Sequence, residues 1–384
     1  MFREQRLLST PIQKEQVIPV LLGSDLNAYA IARAFHEQYG ITSHCVESYQ
    51  LAATRFSSIV TPHIVKHFDQ PDVFVSTLRK IAQQFKEQQP EAVLLLIPCS
   101  DVYVPLISKF KNELTSDYVF HFVDIELVKQ LTNKSSFYAL CNRYGLPHPK
   151  TISLSKYDVY GKKYQHLPFD YPVAMKPADS VQWLTVNFNG RKKAYIFHNP
   201  EELEIIIQRA YEAGYSGEMI IQDFIPGDDS HMRVLNAYVD KHHHVRMMML
   251  GHPLLEDPSP IAVGNYTLIM PDNNEEICKK IADFLNAIHY EGIANFDMKY
   301  DERDGEYKLF EINLRPGRSI HYVLLNQCNI AQYYVDDLIL SQNSSVRPKV
   351  VTGDSLWVAI PPTWISRYVE NDSNIKLAIN MVKQ

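Results

Sequence analysis

From residue 17 to 22 the chain reads VIPVLL, turns through Gly23, Ser24 and Asp25, and then spaces its apolar positions along one face of a helix that Gly40 closes. The arrangement recurs with an apolar strand over 92–97, a polar turn at Cys99, Ser100 and Asp101, and a second helix. Two β-turn-α units in the first 125 residues predict a small parallel α/β domain whose ligand-facing edge lies at the strand C-termini. Further on, "LTNKSSFYALCNRYG" reads as a helix closed by Gly145, with Pro147 and Pro149 barring its continuation. "YPVAMKPADS" predicts a strand carrying Lys176, and "GEMIIQDFIPGDDSHMRVLNAYVD" a strand, a Pro-Gly turn and a second strand, as in an α+β domain. An amphipathic helix follows, with Ile277, Ile281, Phe284, Leu285 and Ile288 on one face.

The sharpest pattern comes next. Two alternating runs flank Asp304-Gly305, a strong hairpin signal. Alternation sets Asn295, Asp297 and Lys299 against Phe296 and Met298 on the first strand, and Glu311 and Asn313 against Phe310, Ile312 and Leu314 on the second. Pairing Asp297 with Glu311 leaves residues 303–305 as a three-residue loop and gathers two carboxylates and an amide on one face. A sheet with one solvated face would read the same way. As a ligand set, these hard oxygens suit magnesium that also holds nucleotide phosphates. Arg315 and Arg318, just beyond, suit bidentate capture of a carboxylate or phosphate. The histidine run 242–244 reads as a solvated turn.

Composition narrows the class. The 384 residues exceed one ordinary core, and 46% hydrophobic with 21% charged residues describes a folded protein of two or three units. A net charge of -6 and a pI near 6.2 argue against a nucleic-acid-binding surface. No apolar run reaches transmembrane length and the first residues lack a signal-peptide core, so no transmembrane segment and a cytoplasmic location are expected. Five widely spaced cysteines without a CxxC pair predict buried, reduced thiols and no thiolate metal site. No GxGxxG is present, which speaks against a nicotinamide enzyme.

In order along the chain, "NKSSFYALCNRYGLPHPKT", "PVAMKP", "IIQDFIPGDD", "ANFDMKY" and "LFEINLRPG" resemble the ATP-grasp superfamily of carboxylate-amine ligases from about Val17 to Tyr334. The resemblance implies a multi-domain α/β and α+β chain, an ATP-grasp fold behind an N-terminal parallel α/β domain, divided near 1–125, 126–225 and 226–384. It implies that Lys134 and Lys176 contact ATP, that Gln222, Asp223, Phe224 and Ile225 form the hinge reading the adenine edge, and that Asp229 holds the ribose. Asp297, Glu311 and Asn313 would hold two Mg2+ ions. Arg233 and Arg315 would act catalytically on phosphate or substrate. The glycine-rich phosphate loop expected after "KP" is missing; Ser180 with the basic residues 191–193 would cover the phosphates in its place, and the same stretch reads equally as a solvated hairpin.

Within the superfamily, "KPADSVQWLTVNFNGRKKA", "RMMMLGHPLLEDP" and "NFDMKYDERDGEYKLFEINLRPGRS" resemble the bacterial D-aspartate ligases of peptidoglycan cross-bridge synthesis. This implies phosphorylation of the β-carboxylate of D-aspartate and attack by the ε-amine of L-lysine in a UDP-linked peptidoglycan stem-peptide precursor. Arg318 and His321 would read the second carboxylate, Ser24 would close over the acceptor, and Glu256 or Asp257 would take the amine proton. A ligase of another amino acid, a free-dipeptide ligase, and an ATP-binding regulatory protein without turnover are the competing readings.

Overall fold

The computed structural model describes residues 16–178, 180–192, 194–257, 264–341, 349–369 and 372–382. Packing divides the chain into two units. The first comprises Met1–Val128, Arg233–Phe296 and Ile312–Gln384, and the second Lys129–Met232 and Asp297–Glu311.

The first unit begins with a four-stranded parallel sheet of β1 (Val17–Leu22), β2 (Ser43–Glu47), β3 (Val60–Ile64) and β4 (Val93–Pro98), in the order β3-β2-β1-β4. β1 is buried along its whole length, as an inner parallel strand covered on both faces must be, and this explains its unbroken apolar sequence. Phe74 and Leu78 of the helix Pro71–Gln88 pack with Val20, Leu22 and Leu96 into the core. The strand order reverses beside β1, so the turns after β1 and β4 flank a switch point, the usual place for a ligand on such a sheet. Asp25 caps the helix Leu26–Tyr39, its carboxylate accepting from the amides of Asn27 and Ala28 at 2.9 and 3.1 Å.

In the second unit, β5 (Thr151–Leu154), β6 (Val173–Pro177), β7 (Tyr195–Phe197) and β8 (Met219–Asp223) form an antiparallel sheet ordered β5-β8-β6-β7. The helix Pro200–Glu212 buries Leu203 and Ile207 against it. A further sheet runs β13-β12-β9-β10-β11-β15, with β14 beside β10. Its strands are β9 (Met232–Val239), β10 (Val245–Glu256), β11 (Tyr266–Pro271), β12 (Gly292–Asp301), β13 (Glu306–Asn313), β14 (Lys349–Val350) and β15 (Trp357–Val358).

The strand, Pro-Gly turn and second strand are present as β8, residues 224–231 and β9, and the two strands belong to different sheets. Two expectations need correction here. The hairpin loop is four residues, 302–305, with Gly305 left-handed at φ 76° and its amide donating to the Asp301 carbonyl at 2.8 Å. β12 has no solvated face: Asn295, Phe296, Met298 and Lys299 are all buried. The five cysteines are buried and free, as the spacing predicts. Among the described residues, no helix is long and apolar enough to cross a membrane.

A buried charge cluster stabilises the first unit. His121 Nε2 lies 2.8 Å from the Tyr238 hydroxyl and 3.2 Å from Asp337, and its Nδ1 lies 3.5 Å from Glu291. Burial alone would lower the histidine pKa, but Asp337 and Glu291 outweigh it and raise the value above 6.5. A raised folded-state pKa contributes stability that is complete below about pH 6.5 and is lost as pH climbs through the folded value. The melting temperature is therefore expected to fall from pH 6 upward, and the slope to flatten in His121→Gln. A His121→Gln profile as steep as wild type would remove this cluster as the cause.

Candidate active site

The second unit contains a cavity of about 840 Å3, within the range of nucleotide-sized pockets. Met175, Ile196, Phe197, Ile206, Phe224 and Ile225 give it apolar walls, and Lys176, Gln222 and Asp223 line it among the polar groups. Five of the residues expected to hold ATP thus come together from β6, β8 and the segment after β8. Gln222 is buried, its amide donating to the Tyr138 hydroxyl at 2.8 Å and to Thr151 at 3.1 Å. Its side chain is therefore spent on the framework.

Among the lining residues that the sequence reading did not assign to the nucleotide are Met232, Lys299 and Phe310. Phe310 was expected on the core face, yet Leu309 and Ile312 are buried while Phe310 and Glu311 are both half-exposed. The strict alternation fails at this step, and Phe310 turns into the cavity. Lys299 donates to the Gly227 carbonyl at 2.6 Å and lies 5.5 Å above the Phe224 ring. Its burial lowers the ammonium pKa, against the opposing pull of Asp229, Asp228 and Asp301. Asp229 opens the short helix Asp229–His231, while its neighbour Asp228 caps that helix through Ser230.

Where a glycine-rich loop was expected, the helix Ser180–Thr185 leads into a clipped loop. The Trp183 indole donates to the Lys192 carbonyl at 2.8 Å, and the Arg191 guanidinium to the Trp183 carbonyl at 2.9 Å. Lys192 and Gly190 line the cavity, the Ser180 side chain and all of Lys193 lie outside the described residues, and Arg191 is committed to Trp183.

The helix Lys134–Tyr144, capped by Asn133 and closed by left-handed Gly145, presents Lys134 to Glu311 at 2.8 Å. Burial opposes the charged amine, but the Glu311 carboxylate outweighs it and holds Lys134 protonated above the ordinary lysine range. Glu311 therefore already serves as a cation-binding carboxylate. Asp297 stands on the adjacent strand β12. Among the described residues no three His, Cys, Asp or Glu side chains gather as a metal cluster. Within the second unit, Asp297 and Glu311 offer hard carboxylate oxygens of the kind that suits magnesium bringing phosphate and water ligands.

The first unit carries the other expected residues. Asn313 donates to Asn295 at 3.3 Å and accepts from Arg315 at 3.4 Å, which fixes the orientation of its amide. Asn295 is itself part of a buried network with Asn236 and Ser319, at 3.0 to 3.2 Å. Gly317 is required beside it, since a Cβ there would lie 2.6 Å from Asn295 Oδ1. Each arginine holds an aspartate: Arg233 with Asp272, Arg315 with Asp101 at 2.7 Å, and Arg318 with Asp257 at 2.9 Å. Glu256 accepts from the Gly264 amide.

Two expected substrate residues are placed differently. His321 is buried, stacks on Trp357 with ring centroids 5.9 Å apart, and lies 3.1 Å from the Leu26 carbonyl. Burial lowers its pKa to about 4, so it is neutral and lacks the charge to read a carboxylate. Ser24 is also buried, its hydroxyl donating to Tyr49 and accepting from Leu51, so it ties the loop after β2 instead of facing an acceptor.

Comparison with known proteins places this geometry. No family model matches the chain. The chain is 49% identical over 378 residues to D-aspartate ligase of Enterococcus faecium (strain Aus0004), covering 97% of this chain and 89% of that protein. In fold it is similar to the L-amino acid ligase of Bacillus licheniformis, with TM-score 0.58 at 14% identity over 87% of this chain and 77% of that one. It is also similar to the biotin carboxylase domain of Hydrogenobacter thermophilus 2-oxoglutarate carboxylase, a structure with MgADP, with TM-score 0.61 at 14% identity over 88% and 73%. The chain belongs to the D-aspartate ligase family and is an ATP-dependent ligase of the ATP-grasp fold.

Proposed function

We propose that the protein joins the β-carboxylate of D-aspartate to the ε-amine of L-lysine in a UDP-linked peptidoglycan stem-peptide precursor, in the cytoplasm, at the expense of ATP. The observation that carries the reading is the 49% identity to a D-aspartate ligase across nearly the whole chain. The cavity in the second unit would take the adenine, with Lys176 and Lys134 toward the phosphates and Asp229 toward the ribose. Asp297, Glu311 and Asn313 would hold Mg2+, in two ions. Bound there, magnesium would neutralise the phosphate charge that opposes attack by a carboxylate.

The carboxylate oxygen of D-aspartate bonds to the γ-phosphorus and ADP leaves. The neutral amine then attacks the acyl phosphate carbonyl, phosphate leaves, and one proton is released as the amide forms. Arg233 and Arg315 would stabilise the phosphoryl and acyl oxygens by charge-assisted hydrogen bonds. Arg318 would read the α-carboxylate, exchanging Asp257 for the substrate. Asp257, exchanged out of its pair with Arg318, would accept the amine proton.

The test is ADP release with ATP and Mg2+ over a panel of D- and L-amino acids, with the UDP-linked lysine pentapeptide present or absent. Turnover with D-aspartate that depends on the pentapeptide is the expected outcome. Turnover with a different acid would reassign the substrate, and ATP binding without ADP release would reject the ligase chemistry proposed for these residues.

A further inference from the structure

Arg303, in the hairpin loop between β12 and β13, does not itself line the cavity, yet it reaches two carboxylates at once. Its Nη1 and Nη2 donate to the two oxygens of Asp223 at 3.0 and 2.9 Å, and its Nε and Nη2 to the two oxygens of Asp301 at 2.8 Å each. Asp301 is buried and anchors the guanidinium from its own strand. Asp223 is the last residue of β8, and Phe224 and Ile225, immediately after it, line the cavity. Four residues before Arg303, Lys299 holds the carbonyl of Gly227. The segment 223–227 is thus gripped at both ends by cations of a hairpin about 75 residues away in sequence.

A nucleobase edge is read by backbone donors and acceptors held to within a fraction of an ångström, and a segment leaving the end of a strand is otherwise free to swing. A guanidinium binding both oxygens of a carboxylate fixes its position and its rotation, whereas an ammonium fixes a single point. We propose that Arg303 is a positioning residue for nucleotide recognition: its fork on Asp223 sets the backbone of 223–225 for the base. The inference rests on assigning this cavity to ATP.

The experiment compares Arg303→Met, Arg303→Lys and Phe310→Ala with the full-length wild type. The readouts are steady-state KM and kcat for ATP and GTP, affinity for a fluorescent ADP analogue, and melting temperature. Arg303→Met is expected to raise the KM for ATP about tenfold and weaken the ADP analogue in parallel, with kcat within about twofold and a narrowed preference for ATP over GTP. Arg303→Lys should recover part of the loss. Arg303→Met also leaves the buried Asp301 carboxylate without its guanidinium, so a modest fall in melting temperature is expected alongside the rise in KM, partly restored in Arg303→Lys. If Phe310→Ala raises the KM while Arg303→Met leaves it unchanged, the positioning role is overturned and the nucleotide site stands. If both variants bind the ADP analogue like wild type, the assignment of the cavity falls, and the positioning role with it. A fall in kcat and melting temperature at constant KM would mark Arg303 as structural and overturn the proposal.

Discussion

Glu311→Ala is expected to lower kcat at saturating MgATP by at least about a thousandfold, with the melting temperature nearly unchanged. The first half follows from what the carboxylate would do under the proposed function: without it, the magnesium that neutralises the phosphates would lose one of its two proposed carboxylates. The second half follows from exposure. The Glu311 side chain is 47% exposed, so its pair with Lys134 is screened and is worth less than about 1 kcal/mol to the fold. Lys134, left without that partner, can swing its flexible stem toward water. Glu311→Gln should be nearly as inactive, because it keeps the shape and loses the charge. Phosphate release from ATP, followed with a melting curve on the same preparation, checks both halves. Turnover within tenfold of wild type in either variant would remove Glu311 from the metal set.

Asn295→Ala is expected to fail in the opposite way, by loss of the fold around the site. Asn295 is buried and bonds to Asn236, Ser319 and Asn313, so its removal strands several polar atoms where water cannot reach them. The cost is about 2–4 kcal/mol, equivalent to roughly 5–10 °C in melting temperature for the unit that carries it. The damage should reach activity, because the same network orients the Asn313 amide and seats the loop bearing Arg315 and Arg318. Ser319→Ala, which removes one hydroxyl from the network, should cost about 1 kcal/mol. A melting temperature for Asn295→Ala within 2 °C of wild type, measured by calorimetry, would contradict the reading of this network as the support of the site.

Much of this architecture is legible in local pattern. The unbroken apolar run of β1, the Gly145 stop and the Gly305 turn each depend on a few neighbouring residues, and each stands as the sequence predicts. Lys176 and the stretch from Gln222 to Ile225 meet in one cavity because two short motifs each place a strand end correctly. What local pattern hides is partnership across distance. Arg303 looks like an ordinary loop arginine until β8 is brought beside it. Phe310 obeys an alternation that the folded strand does not keep. His321 and Ser24 carry groups suited to binding, but burial takes the charge from one and spends the hydroxyl of the other.

The second unit is built from two separate stretches, Lys129–Met232 and Asp297–Glu311. A ribosome releases the first of these long before the second, with residues 233–296 of the other unit synthesised in between. Until then, the nascent cavity has Met175 and Phe224 but neither Lys299 nor Phe310, and Asp223 has no guanidinium to meet. If the cavity holds ATP as proposed, the nucleotide would gain the contacts of Lys299 and Phe310 only once the hairpin has been threaded in. A truncation ending before Asp297 would lack Lys299 and Phe310 of the cavity lining and both carboxylates, Asp297 and Glu311.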